Sequence, residues 1–233
     1  YKNLEVILVD DGSTDNSHNI IESFSKKDSR IKLISIKHSG IVNVLNIGIK
    51  YCTSDYITRL DADDISMPKR IERQLKYLLE HDLDICSSEI KFFSDKKLSE
   101  GLINYENWLN SDIPLKQKIF VENPFPHPTW MIKKTVYNSL SGYQKNIWAE
   151  DYDFILRAYL AGKKIGKLNE MLVKIREHNK RLTWTDKTNS NISFLKCRAK
   201  YLKQWLMLNN IIDKNILFWG GKTAVKLAQE MNI

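Results

Sequence analysis

The stretch Glu5–Ser17 reads EVILVDDGSTDNS. Its first half belongs to an apolar run over Leu4–Val9, the pattern of a strand buried in a parallel sheet. Its second half, Asp10 to Asp15, is dense turn chemistry. A helical stripe follows at Ile20, Ile21 and Phe24. A second strand is expected over Ile31–Ile36, a second helix through Val44, Leu45 and Ile49 after Ser39 and Gly40, and a third strand over Tyr56–Leu60. Strands alternating with helices in this way predict right-handed βαβ units and an α/β fold with a mostly parallel sheet flanked by helices.

Further along, Pro68 opens a helix with its apolar face at Ile71, Leu75, Leu78 and Leu79, and Ser66 is a candidate cap for it. Asp84–Phe93 reads as a strand, and residues 95–118 carry weak signals for irregular or helical chain. Asn123–Pro128, NPFPHP, is a proline-rich loop before a strand at Trp130–Ile132. Asp151–Leu160 reads as a helix with an acidic start that suits the helix dipole, stopped by Gly162. Leu172–Arg176 is a short strand and Ser190–Leu208 a long amphipathic helix. Ile216–Trp219, then Gly220 and Gly221, then Lys222–Met231 read as the opening of a further βα unit, which cannot bury itself alone. The expected organisation is a catalytic domain over 1–184, a helical extension over 185–212, and the start of an appended domain over 213–233. The sequence reads as a fragment of a longer protein.

Composition narrows the class. With 42% apolar and 27% charged residues, the 233-residue chain has the profile of a soluble globular domain. No run of about 18 apolar residues is present to span a bilayer, and no basic-then-apolar leader opens the chain. The cytoplasm is the expected setting. Cys52, Cys86 and Cys197 show no metal or redox spacing and read as reduced packing residues. The net charge of +8 comes from scattered basic residues and lacks the basic–aromatic interleaving of a nucleic-acid groove. It permits peripheral contact with a membrane surface without showing it.

Chemistry is expected at the carboxyl ends of the strands, where open α/β sheets bind ligands. Two of the first three strands end in acid there: Asp10 and Asp11, then Asp61, Asp63 and Asp64 in YITRLDADD. Such groups either serve as turn and cap residues or hold a hard divalent cation through oxygen. Glu150 and Asp151, with Asp153, head a helix in WAEDYDFILRA. They suit the helix dipole, and they equally suit a general base. His127 and His178 lie in loops without metal-site spacing, and Trp148 could pack in the core or stack on a sugar.

EVILVDDGSTDNS, YITRLDADD, PHPTWMIKK and WAEDYDFILRA, in this order, resemble the inverting nucleotide-sugar glycosyltransferases of glycosyltransferase family 2, which have the GT-A fold. The resemblance runs from Tyr1 to about Trp184. It implies that Asp11 hydrogen-bonds the nucleotide base, with Asp10 and Ser13 beside it in the nucleotide-binding loop. It implies that Asp61 and Asp63 form the DxD motif, holding Mn²⁺ or Mg²⁺ on the diphosphate, with Asp61 also touching the ribose and His178 near the metal. Asp151 is then the catalytic base and Glu150 the fallback, with His127 and Trp148 on the acceptor side. The implied reaction moves a sugar from a nucleotide sugar, a UDP-sugar by family habit, to a hydroxyl of a glycan or lipid-linked acceptor in bacterial surface polysaccharide synthesis, at the inner face of the membrane.

Three departures stand out. Family chains start with a strand and helix ahead of the position of Tyr1, Leu45 stands where an arginine is usual, and Ile175 replaces a tyrosine. Two rival readings follow: a sugar-nucleotide binding module without activity, and a nucleotidyltransferase. Against the latter, DDGSTD is acidic where that class carries a basic, glycine-rich phosphate loop.

Overall fold

A computed structural model describes residues 1–145, 149–181, 191–211 and 222–231. The opening stretch forms β1 (Val6–Asp10), and a turn leads into α1 (Ser17–Ser25), β2 (Ile31–Ser35) and α2 (Ile41–Tyr51). β1 and β2 pair in parallel, Val6 opposite Ile31 and Asp10 opposite Ser35. Gly12 makes the turn possible. Its φ is +75°, and a Cβ there would come within 2.9 Å of the His38 nitrogen, so only glycine lets the two loops approach this closely.

The remaining strands are β3 (Tyr56–Thr58), β4 (Ile65–Ser66), β5 (Ile85–Phe93), β6 (Met131–Lys133) and β7 (Ile165–Arg176). They form a second sheet in the order β3-β6-β5-β7-β4. β5 and β7 run parallel. β6 is antiparallel to both β3 and β5, and β4 is antiparallel to β7. The α/β class stands, but the parallel character expected of the sheet is confined to β1/β2 and β5/β7. β7 also reaches well upstream of the expected Leu172, because pairing with β5 recruits the polar segment before it.

Helices α3 (Arg70–Glu80), α4 (Glu100–Asn110), α5 (Leu115–Lys118), α6 (Lys134–Ser139) and α7 (Glu150–Leu160) connect these strands. Two more, α8 (Asn191–Leu208) and α9 (Lys222–Met231), follow. Ser66 does not cap α3: it lies in β4, opposite Val173, and the helix starts only at Arg70. The weak region 95–118 resolves into α4 and α5, and the Ser99 hydroxyl caps α4 by accepting from the Leu102 N–H at 3.2 Å. The strand expected at Ile216–Trp219, the glycine pair after it, Trp148 and Trp184 lie outside the described residues.

The main core forms around α7, whose Phe154, Ile155, Leu156 and Ala158 are fully buried against Trp130, Ile85 and Tyr143. α8 adds Cys197 and Tyr201 to the same cluster. The Tyr201 hydroxyl donates to the buried Asp153 carboxylate at 2.5 Å. Asp153 also accepts from Arg157 Nε at 2.8 Å, so this acid of the WAEDYD stretch holds structure together. All three cysteines are free thiols. No helix among the described residues is long and apolar enough to cross a membrane.

Candidate active site

β3 ends where Arg59 leaves the sheet, and the next turn carries Asp61, Asp63 and Asp64. A buried arginine fixes this strand end. Arg70 of α3, 1% exposed, donates to the Thr58 hydroxyl at 2.8 Å and to the Arg59 carbonyl at 2.9 Å. Its Nε donates to Gln74, whose own amide donates to the Thr129 carbonyl at 2.7 Å. One polar chain thus ties the acid turn to the 3₁₀ turn at His127–Thr129. Burial lowers Arg70 to about 10, and these acceptors satisfy the donors of its desolvated guanidinium.

Within the acid turn the three aspartates have different partners. Asp61 pairs with Arg59. Asp63 Oδ2 lies 2.8 Å from His178 Nε2, beyond the end of β7. Asp64 points inward: its Oδ1 accepts the Arg176 N–H at 2.9 Å, while its buried Oδ2 has no partner among the described residues. Burial pushes the Asp64 carboxyl up to about 6. The Arg176 bond opposes this, and the charges of Asp61 and Asp63 add to it.

A cleft of about 410 Å³ opens beside this turn, a size usual for small-ligand sites. Asp61, Asp63 and His178 line one part of it, and Glu150, Asp151 and His127 line another. The structure therefore gathers four separate stretches of sequence, 61–63, 127–128, 149–151 and 178, around one space. Asp10, Asp11 and Ser13 are not among the lining residues. Asp10 is buried and accepts from the Ser13 N–H and from His18, both at 2.9 Å. These donors hold its carboxyl below the usual range. Asp11 accepts from the Ser39 N–H at 2.8 Å, the Ser39 hydroxyl at 3.1 Å and the Gly40 N–H at 3.1 Å, with His38 at 2.9 Å. As placed, Asp10 ties the turn after β1 to α1, and Asp11 fastens that turn to the loop before α2.

At the head of α7, burial pushes the Glu150 and Asp151 carboxyls upward, and the charge of Asp151 raises Glu150 further. Asp151 is drawn back by two donors, the Tyr152 N–H at 2.7 Å and the Asn123 amide at 2.8 Å. His127 is 5% exposed, with Nε2 2.6 Å from the Tyr143 hydroxyl and its ring 4.5 Å from that of Trp130. Burial, with the charge of Arg59, pushes it well below its ordinary range, so it is neutral.

The sequence reading missed four cleft residues: Arg59, Tyr105, Glu122 and Asn123. Burial and the charge of Asp151 raise the Glu122 carboxyl as well. Asn123 stood in the quoted NPFPHP loop without a role. Glu122 sits beside it in an otherwise unremarked segment, and only the fold brings it to α7. A smaller cavity of about 190 Å³ lies between α5 and β7. Its Lys118 and Lys167 ammoniums donate to the carbonyls that close α4, so they act as a helix cap.

Among the described residues no three His, Cys, Asp or Glu side chains converge as a ready-made metal cage. A divalent cation carried on a diphosphate needs only one or two protein donors, because the phosphates complete its shell. Asp63 and His178, side by side on the cleft, fit that requirement, and the next residue, Asp64, carries a buried oxygen without a partner among the described residues.

The curled, helix-flanked sheet with acids at its strand ends is that of the GT-A glycosyltransferases. S. aureus TarS 1–349, solved with UDP-GlcNAc, superimposes with a TM-score of 0.65 at 17% identity, over 97% of this chain and 61% of that one. Mannosyltransferase PcManGT from Pyrobaculum calidifontis, in complex with GDP-Man and Mn²⁺, gives 0.56 at 16% identity, over 97% and 59%. The family model for Glycosyl transferase family 2 matches residues 1–140, and the chain belongs to that family. It is 29% identical over 218 residues to the O-antigen biosynthesis glycosyltransferase WbnJ of Escherichia coli, covering 91% of this chain and 82% of that one. It is 33% identical to the putative glycosyltransferase EpsE of Bacillus subtilis, covering 76% and 64%. The chain spans 58% of the length of a Haemophilus influenzae relative 35% identical to it. The protein is a glycosyltransferase.

Proposed function

We propose that the protein transfers a sugar from a nucleoside-diphosphate sugar, a UDP-sugar first among them, to a hydroxyl of a glycan or lipid-linked acceptor, with inversion at the anomeric carbon. One observation carries this reading: a single cleft holds Asp61, Asp63 and His178 together with Glu150 and Asp151. The first group is a seat for a cation-bound diphosphate, and the second a place for a base. Asp63 and His178 would hold Mn²⁺ or Mg²⁺, with Asp61 joining them on release from Arg59. When bound, such a cation supplies Lewis-acid stabilisation of the departing diphosphate.

Asp151 accepts the proton of the acceptor hydroxyl as its oxygen bonds to the anomeric carbon. The bond from that carbon to the diphosphate oxygen breaks on the opposite face, through an oxocarbenium-like transition state. Glu150, raised by burial and by its neighbour, carries the proton that relieves repulsion in the pair. Asp11, Asp10 and Ser13 are assigned to the nucleotide, with Asp11 exchanging one of its loop contacts for the base. His127 is assigned to the acceptor side, as is Trp148, which lies outside the described residues. UDP-GlcNAc in TarS and GDP-Man in PcManGT support a nucleotide-sugar donor of this kind. The O-antigen role in WbnJ's name supports a surface polysaccharide as the product.

Calorimetry with UDP-glucose, UDP-N-acetylglucosamine and GDP-mannose, with and without Mn²⁺, tests the reading. Binding is expected to require the cation and to be lost in Asp63→Ala. Equally strong binding without the cation overturns the assignment of the seat.

A further inference from the structure

We propose that Asn123 is the positioning residue of the catalytic base: its side-chain amide fixes one carboxylate oxygen of Asp151 so that the remaining lone pairs face the cleft. The inference rests on the reading of Asp151 as that base. Asn123 is 6% exposed and lines the cleft in the proline-rich loop after α5. Its Oδ1 accepts the Phe125 N–H at 3.1 Å. That contact settles which way round the amide lies and leaves the NH₂ facing Asp151 Oδ2, 2.8 Å away. The loop itself is anchored, since the Trp130 indole N–H donates to the Phe125 carbonyl at 2.9 Å. Asp151 Oδ1 accepts from the Tyr152 N–H. A carboxylate offers about four acceptor sites, so two donors orient it and capacity is left for an incoming hydroxyl.

An amide is suited to this place because it donates without carrying charge or a titratable proton. Burial disfavours the ionised form of Asp151. Glu150 precedes it on α7, and the charge of Asp151 raises the carboxyls of Glu150 and of Glu122 in the segment before the loop, and the thiol of Cys197 on α8. The same charge raises the Tyr105, Tyr143 and Tyr152 hydroxyls, Asp61 raises Glu150, and the cation Arg59 lowers both carboxyls of the pair. His127 is beside Glu150 and neutral. In that field a donor to the carboxylate favours the charged base, and Asn123 supplies it from a rigid, buried position.

Asn123→Asp keeps the oxygen that receives the Phe125 N–H but replaces the donor with a second carboxyl; Asn123→Ala removes donor and oxygen alike and adds no charge. Carbon-13 carboxyl NMR of aspartate-labelled full chain, with the Asp151 signal identified by its loss in Asp151→Asn, follows the base directly and needs no ligand. The Asp151 midpoint is expected to rise by about one pH unit or more in both variants, and in Asn123→Ala, which adds no charge, the rise reports the lost donor alone. The acid limb of Mn²⁺-dependent hydrolysis of UDP-glucose, UDP-N-acetylglucosamine or GDP-mannose should move the same way, with kcat falling and KM little changed. An unmoved midpoint in both variants, with Asp151→Asn inactive, overturns the role of Asn123 alone. Full hydrolysis by Asp151→Asn removes the base assignment, and this proposal with it.

Discussion

Residues 6–51, with two strands and two helices, bury only two side chains, Asp10 and Ile49. The eleven residues of α7 bury six, from Tyr152 to Ala158. The first region is held by carboxylates instead of packing. Glu5 Oε1 accepts from the Thr53 and Ser54 N–H groups at 2.6 and 2.9 Å and from both their hydroxyls. It thereby joins the start of β1 to the loop after α2. Asp11 joins the other end of β1 to the loop before α2. Burial pushes the Glu5 carboxyl upward, but these four donors outweigh it and bring it down to about 2. The two halves should therefore fail under different stresses: one under loss of apolar volume, the other under loss of negative charge.

The largest contrast lies in the core. Phe154→Ala is expected to cost about 3–5 kcal/mol in denaturant unfolding, because it empties a fully buried site. Glu5→Gln should cost about 1–3 kcal/mol, since it replaces a charged acceptor that serves four donors. Hydrogen exchange should then rise across β1 and α2 while α7 stays protected.

Acid should reproduce that pattern. The depressed carboxyl contributes stability above its ordinary value of 4.5, and that stability is lost as pH falls toward 2. If exchange rises equally in both halves between those values, the comparison fails. Smallest of all, Phe24→Ser on α1, where the ring is 55% exposed, should change stability by no more than about 0.5 kcal/mol. A loss as large as that of Phe154→Ala would mean that something covers this face.

Local pattern carried much of the fold. β1, α2, α3 and α7 follow from apolar runs and stripes in the sequence itself, and α7 starts one residue from where its acids predict. The first half of β7 was not legible. Lys167, Asn169 and Glu170 give no apolar run, and the strand exists because β5 offers it a partner distant in sequence. Ser66 misled for the same reason: its short strand is imposed by Val173. In the candidate site, Asp61, Asp63, Glu150 and Asp151 could be picked out because acids at strand ends and helix starts stand out by type and place, whereas His178 came only from the family resemblance. Asn123 and Glu122 could not. Nothing in their neighbourhood marks them, and their position depends on how the proline-rich loop packs against α7.

One small ladder has a consequence for how the site varies. Ile65 and Ser66 of β4 lie opposite Lys174 and Val173, and the Met67 N–H donates to the Leu172 carbonyl. Asp63 lies just before this clip and His178 just beyond the far end of β7, so backbone register alone sets the reach from one to the other. Side chains alternate along a strand. A single residue inserted between Val173 and His178 would turn the imidazole to the opposite face, while two would restore its facing and lengthen the reach. The tolerated length changes there should come in even numbers, like the teeth of a ratchet.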